Sequence, residues 1–357
     1  MKKILLNLYF WLRLIFILFS RILFPSRVSL PKRLSRFLII RIDRMGDFVV
    51  SIPVIENIRL EYPDAIIDVL VRPYLKELAG LVKSVNKVII YDNLISTARR
   101  LKREKYDAVF DLLYDYKIRP AILAYLCGAP IRLGFSWGFR ELFLNRVVNP
   151  INHPYDDMGR LQLRLLDLLG IPKKEIIPKL ILDSDDAPEG IFIAMHPGGF
   201  YDSQRWSKDK FVLLAKKILA SYRVKLKIVG ASNDEKIVNY IVQGINNPNA
   251  ESLMSGLKEF AIFLKGCSLL ICNNSGPMHL AAALGVPTIS IMGPADPILW
   301  WPKGINQKVI RKDLLCSPCS KGSCWDHKCM ELVNVEEVFE KVKSVMGKLG
   351  IRAIDQR

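Results

Sequence analysis

Three short segments of this chain bring together residue types that can do chemistry. The first is Arg41-Ile-Asp43-Arg44-Met45-Gly46-Asp47. A strand ends, the chain turns at Gly46, and Asp47 opens a helix, where a carboxylate can accept a proton from an attacking hydroxyl. The same Asp also suits a helix start on electrostatic grounds alone. The second is His196-Pro-Gly-Gly-Phe-Tyr-Asp-Ser-Gln204-Arg205-Trp206-Ser-Lys208. Gly198 and Gly199 permit close backbone approach, and Arg205 and Lys208 are cations suited to phosphate oxygens, or equally to a solvated loop. The third is Cys272-Asn273-Asn274-Ser275-Gly276-Pro277-Met278-His279. Asn or Ser there can cap a helix with Pro277 in its first turn, and the exposed N–H groups of such a helix start bind a diphosphate without a metal. His279 lies one turn in, on the side of Ser275, as a ligand contact or a satisfied structural histidine.

The elements that must hold these segments follow from hydrophobic periodicity. Strands are expected at Arg36–Asp43, Ala65–Val71, Lys87–Tyr91 and Tyr106–Asp111, with helices over Val49–Tyr62, Tyr74–Val82 and 94–104. A polar, Pro-containing stretch at 172–190 precedes a second series. Its strands are Ile191–Met195, Leu226–Val229, Leu269–Cys272 and Thr288–Met292, and its helices fall near 208–221, 233–245, 256–265 and 276–284. A last amphipathic helix runs over Val335–Leu349. Alternating β-rich runs and amphipathic helices predict an α/β protein of two doubly wound parallel sheets. The expected segments are 1–35, a helix and basic linker; 36–171, a first Rossmann-like domain; 172–190, a linker; 191–334, a second such domain; and 335–357, a closing helix and tail. Ligands bind such sheets at the carboxyl ends of the strands, so a central cleft is expected to hold the three segments. Neither the Gly-x-Gly-x-x-Gly fingerprint nor a phosphate loop ending in Gly-Lys-Ser/Thr follows any of these strands, which argues against dehydrogenases and P-loop enzymes.

Of the 357 residues, 52 are basic and 35 acidic, a net charge of +17. Residues 1–36 hold eight Lys or Arg and no acid. Within them Ile4–Phe24 is apolar, yet it ends in Phe24-Pro25-Ser26-Arg27 rather than a small-residue cleavage site, and Arg13 sits at its centre. On a helical projection Lys2, Lys3, Asn7, Arg13, Ser20 and Arg21 gather on one arc, opposite Leu5, Leu8, Trp11, Leu12, Ile15 and Phe19. This predicts an amphipathic helix lying in an anionic membrane surface, with a spanning helix or a helix packed on protein as the alternatives. No nucleic-acid-binding module is present, so nucleic acid is not an expected partner.

Cys127, Cys267 and Cys272 lie in apolar runs and read as buried small hydrophobes. Cys316, Cys319, Cys324 and Cys329 are clustered, with His327 between the last two. Structural zinc, a disulfide or redox pair, and reduced thiols in a loop all suit that spacing.

Asp43-Arg44-Met45-Gly46-Asp47, His196-Pro-Gly-Gly with Arg205-Trp206, and Asn274-Ser-Gly-Pro-Met-His279 running on to Gly293-Pro-Ala-Asp296-Pro occur in this order. Together they resemble family 9 of the glycosyltransferases, the ADP-heptose:lipopolysaccharide heptosyltransferases, over about Arg36 to Val342. The resemblance implies a GT-B fold and an inverting transfer that requires no metal or cofactor. It implies ADP-heptose as donor, a lipid A–Kdo type glycolipid as acceptor, and a place at the cytoplasmic face of the inner membrane. Asp47 matches the catalytic base, and Arg44 and Gly46 belong to the acceptor side. Ser275, Gly276 and His279 match the diphosphate loop, Asp234 falls near the position that holds the ribose, and Met254 lies in the stretch that packs on the base; Arg205, Lys208 and Asn274 are expected on the same nucleotide-sugar side. Two positions depart from the pattern: Asn274 stands where Asp is usual, and Gln204 where Lys is usual. Another nucleotide-sugar and envelope glycan, or a catalytically weak binding protein, are the alternatives these departures raise.

Overall fold

The computed structural model describes residues 34–182 and 190–354. The expected N-terminal helix lies outside the described residues. Among those described, no helix is long and apolar enough to cross a membrane. The chain divides into two compact units, one comprising Met1–Arg44 and Ser51–Ile176, the other Met45–Val50 and Ile177–Arg357.

The first unit is built on β1 (Arg36–Arg41), α1 (Met45–Glu61, whose first turn is counted with the second unit), β2 (Ile66–Val71), α2 (Lys76–Gly80), β3 (Lys87–Ile90), α3 (Leu94–Glu104), β4 (Ala108–Asp111), α4 (Arg119–Leu126), β5 (Ile131–Phe135), β6 (Arg146–Val148) and α5 (Met158–Asp167). Its sheet is fully parallel in the order β3-β2-β1-β4-β5-β6. Strands covered on both faces read as continuous apolar runs, and Phe37-Leu-Ile-Ile40 of β1 is buried throughout. Local signals set the helix starts: the side chains of Asn93 and Asp157 accept the amides of Ser96 and Arg160 at the heads of α3 and α5.

The second unit continues with β7 (Phe192–His196), α6 (Lys208–Ser221), β8 (Lys225–Gly230), α7 (Glu235–Ile245), β9 (Ala250–Met254), α8 (Leu257–Lys265), β10 (Leu269–Asn273), α9 (Gly276–Ala283), β11 (Thr288–Ile291), α10 (Pro297–Trp300), β12 (Gln307–Ile310), α11 (Lys328–Glu331) and α12 (Val335–Lys348). The order β12-β11-β10-β7-β8-β9 is again all parallel and repeats the winding of the first sheet. Each sheet reverses direction beside its first strand, between β1 and β4 and between β7 and β10, which is where open α/β sheets bind ligands. The core of this unit runs from Ile193 and Met195 through Trp206 and Phe211 to Val338, Val342 and Met346 of α12.

Several expectations change. The first helix begins at Met45, not Val49, so Gly46 and Asp47 lie inside its first turn. The helix expected over Tyr74–Val82 is a 3-10 turn at Pro73–Leu75 followed by the five-residue α2. Strands β5, β6, β9 and β12 and helices α4 and α5 were not expected. Of these, β6, β9 and β12 are sheet edges, where one side of the strand needs no apolar run.

Candidate active site

The second unit's switch point is organised by Asn273, the fully buried last residue of β10. Its Oδ1 accepts the Trp206 amide at 3.0 Å. Its Nδ2 donates to the carbonyls of Pro197 at 2.8 Å and Gly198 at 3.0 Å. One amide thereby fixes both ends of the loop that leaves β7. Trp206 is held in turn by its indole N–H on the Val333 carbonyl at 2.9 Å and by edge contact with Phe211, ring centres 5.1 Å apart.

His196, the last residue of β7, lies between two segments far away in sequence. Its Nε2 is 3.8 Å from Asp234 Oδ2, and its Nδ1 is 3.4 Å from Ser275 Oγ. Burial pushes the imidazole pKa down, against the pull of Asp234, so the ring is neutral near pH 7. Gly198 lets the Asp234 carboxylate come in: a Cβ there would stand 2.7 Å from both its oxygens. Asp234 also accepts the Ala231 amide at 3.3 Å. Beside this group is a cavity of about 110 Å³ lined by Met45, His196, Gly230, Ser255, Phe260 and Pro277, among others.

Helix α9 starts at the same place. Ser275 precedes it in extended conformation but makes no capping bond; its Oγ donates to the Asn273 carbonyl at 3.2 Å instead. The cap expected from Ser275 is therefore absent, because its hydroxyl is turned back toward β10 and His196. Asn274 is buried, and its Nδ2 has no hydrogen-bond partner among the described residues. His279 is buried against Gly46 and Trp300, and burial lowers its pKa to about 4.

The first turn of α1 packs on this helix start. A Cβ on Gly46 would lie 3.2 Å from Gly276 Cα and 3.0 Å from the His279 ring. Gly46 is thus required by contact and not, as the sequence suggested, by a turn. Asp47 follows it, half-buried in the first turn, with Arg44 exposed at the N-cap.

The remaining expected residues make the following contacts. Arg205 folds back on the Gly199 carbonyl at 2.9 Å and pairs with Asp202 at 3.0 Å. Lys208 lies 3.8 Å over the Tyr240 ring, toward α7. Met254 ends the edge strand β9 at 39% exposure, and its neighbour Ser255 lines the cavity. Cys329 is buried, whereas Cys316, Cys319 and Cys324 are exposed. Among the described residues no three His, Cys, Asp or Glu side chains are grouped to hold a metal ion. Met45, Asn273 and His196 stand inside the three motifs but carry no role of their own in the sequence. Their place directly at a strand end, or beside Gly46, is the signal that marks them.

The family model of glycosyltransferase family 9 (heptosyltransferase) matches residues 94–329. Lipopolysaccharide heptosyltransferase 2 of Salmonella typhimurium is 23% identical over 351 residues, covering 88% of this chain and 100% of that protein. Among solved structures, ADP-heptose lps heptosyltransferase II of E. coli superposes with a TM-score of 0.76 at 22% identity, over 88% of this chain and 99% of the other. An E. coli heptosyltransferase solved with ADP gives 0.71 at 19% identity, over 87% and 99%. At such identities these structures share the fold.

Proposed function

The chain belongs to glycosyltransferase family 9, and on that premise we propose that it transfers heptose from ADP-heptose to the inner core of a lipopolysaccharide, with inversion and without a metal. The observation that carries this reading is the contact of Gly46 with Gly276 and His279. It sets a carboxylate, Asp47, one residue away from a helix start suited to a diphosphate. In the reaction an acceptor hydroxyl oxygen attacks the anomeric carbon and its proton passes to Asp47. The bond from that carbon to the diphosphate oxygen breaks, and its electron pair leaves with ADP. One displacement inverts the centre.

The uncapped amides at the head of α9 meet the charge that develops on the diphosphate. His196 and His279 serve as neutral hydrogen-bonding groups, because burial disfavours their cations. Asp234, beside the cavity, suits the ribose hydroxyls, and the cavity walls suit a flat base. The basic N-terminal segment, eight Lys or Arg within residues 1–36, supports a peripheral site on the cytoplasmic face of the inner membrane, where the acceptor lipid is anionic.

Thermal unfolding with ADP, UDP, GDP, CMP and dTDP tests the donor. A nucleotide at about a hundred times its Kd stabilises by about 2.7 kcal/mol. A shift confined to ADP, with ADP-heptose turnover undiminished by a chelator, is the expected result. A shift with another nucleotide alone would replace the donor, and a chelator-sensitive rate would overturn the metal-free mechanism.

A further inference from the structure

At the first unit's switch point, the loops after β4 and β5 build an aromatic platform that the transfer mechanism does not use. Tyr114 stacks on Trp137, with centroids 5.7 Å apart and planes 22° apart. Tyr116 lies on the same indole at 5.0 Å, and Tyr114 meets Phe135 edge-on at 5.7 Å. Tyr116 is the open ring of the group, 71% exposed. Buried aromatic rings need no further account; an exposed one held in a stack of others does.

The platform is braced from below. Arg140, fully buried, pairs with Asp111 and donates to the carbonyls of Leu113 and, at 3.1 Å, Asp115, so both sides of Tyr114 are pinned. Gly138, at φ +60°, brings the chain under Tyr116: a Cβ there would be 3.1 Å from the ring. Arg41 joins this loop to the end of β1, donating to the Leu112 carbonyl and pairing with Asp43 at 3.0 Å. The platform therefore stands beside the strand end that leads to Arg44 and Asp47. At its rim the exposed Lys117 pairs with the half-buried Asp115 at 2.8 Å.

We propose that this platform binds a pyranose ring of the acceptor saccharide, stacked on Tyr116 and oriented by Lys117 and Asp115. The inference rests on the reading of this unit as the acceptor side. The C–H face of a pyranose carries partial positive charge and matches the negative face of an aromatic ring. Its hydroxyl or acid groups then reach the rim pair. Because the rings are already stacked and braced, little side-chain freedom is lost on binding.

The test titrates the full-length protein with the deacylated core oligosaccharide of a heptose-deficient lipopolysaccharide, following the Trp137 emission obtained by difference from Trp137→Phe. Tyr116→Ala should weaken binding about tenfold, the loss of one stacked ring. Tyr116→Phe should retain wild-type affinity, and stabilisation by ADP should be the same in all three proteins. Equal affinity in wild type and Tyr116→Ala, or a Tyr116→Phe as weak as Tyr116→Ala, would overturn the platform. So would turnover onto intact glycolipid by a protein that does not bind the deacylated saccharide. Tyr116-dependent binding without any turnover of ADP-heptose would support the platform and count against the proposed transfer.

Discussion

The Asn273 side chain accepts the backbone amide of Trp206 at 3.0 Å, tying together residues 67 positions apart. With its two bonds to Pro197 and Gly198 it holds the loop from β7 in one shape. Removing it strands three buried polar groups, each costing about 1–3 kcal/mol. Asn273→Ala should therefore lower the unfolding free energy by about 3 kcal/mol and weaken ADP binding, read from urea unfolding and thermal shifts. Unchanged stability would mean that Trp206 and its packing on Phe211 suffice.

Asp47→Asn keeps size and removes the base. Turnover of ADP-heptose should fall about 10²–10⁴-fold while ADP still stabilises the protein as in wild type. Retained turnover would give the proton to another group.

Gly276→Ala tests the contact on which the site depends. Its Cβ would stand 2.7 Å from the end of the Met45 side chain, which can move, and 3.2 Å from the Gly46 amide, which cannot readily do so. Stability should drop by about 1–3 kcal/mol, with a larger proportional loss in turnover than in ADP affinity. Wild-type turnover would show that the first turn of α1 need not pack so closely.

His279 makes stability depend on pH. Its folded pKa of about 4 lies below the unfolded value of about 6.5. Above about pH 6.5 the ring is neutral in both states and its contribution is complete. As pH falls from there toward 4, the unfolded chain takes the proton first and stability is lost, by about 3 kcal/mol in total. Urea unfolding at pH 7.5 and pH 4.5 should show the loss in wild type and a smaller one in His279→Gln. Equal losses would assign the effect to other groups, His196 first.

Deleting residues 1–30 removes the apolar run and five Lys or Arg: Lys2, Lys3, Arg13, Arg21 and Arg27. The shortened protein should no longer sediment with vesicles containing anionic lipid, and ADP should still stabilise it. Unchanged sedimentation would place membrane contact elsewhere in the chain.

The α/β alternation, the parallel sheets and the local character of the three motifs are legible in the amino-acid order alone. Strand and helix starts are short-range matters: a buried run such as Phe37–Ile40, an Asn or Asp cap, a Pro in the first turn. Edge strands such as β9 and β12 escaped because half of each needs no apolar residue. Which side chains meet, by contrast, depends on how the chain winds. His196, Asp234 and Ser275 lie at or just beyond the ends of three different strands, and no local pattern says that winding will bring them together. Likewise Gly46 looks like a turn residue in isolation and is a packing residue once α9 lies against it. Lys208 has the right charge for a phosphate but lies over Tyr240, because its place at the head of α6 aims it at α7. Residue type is written in the chain; direction follows only from the backbone that carries it.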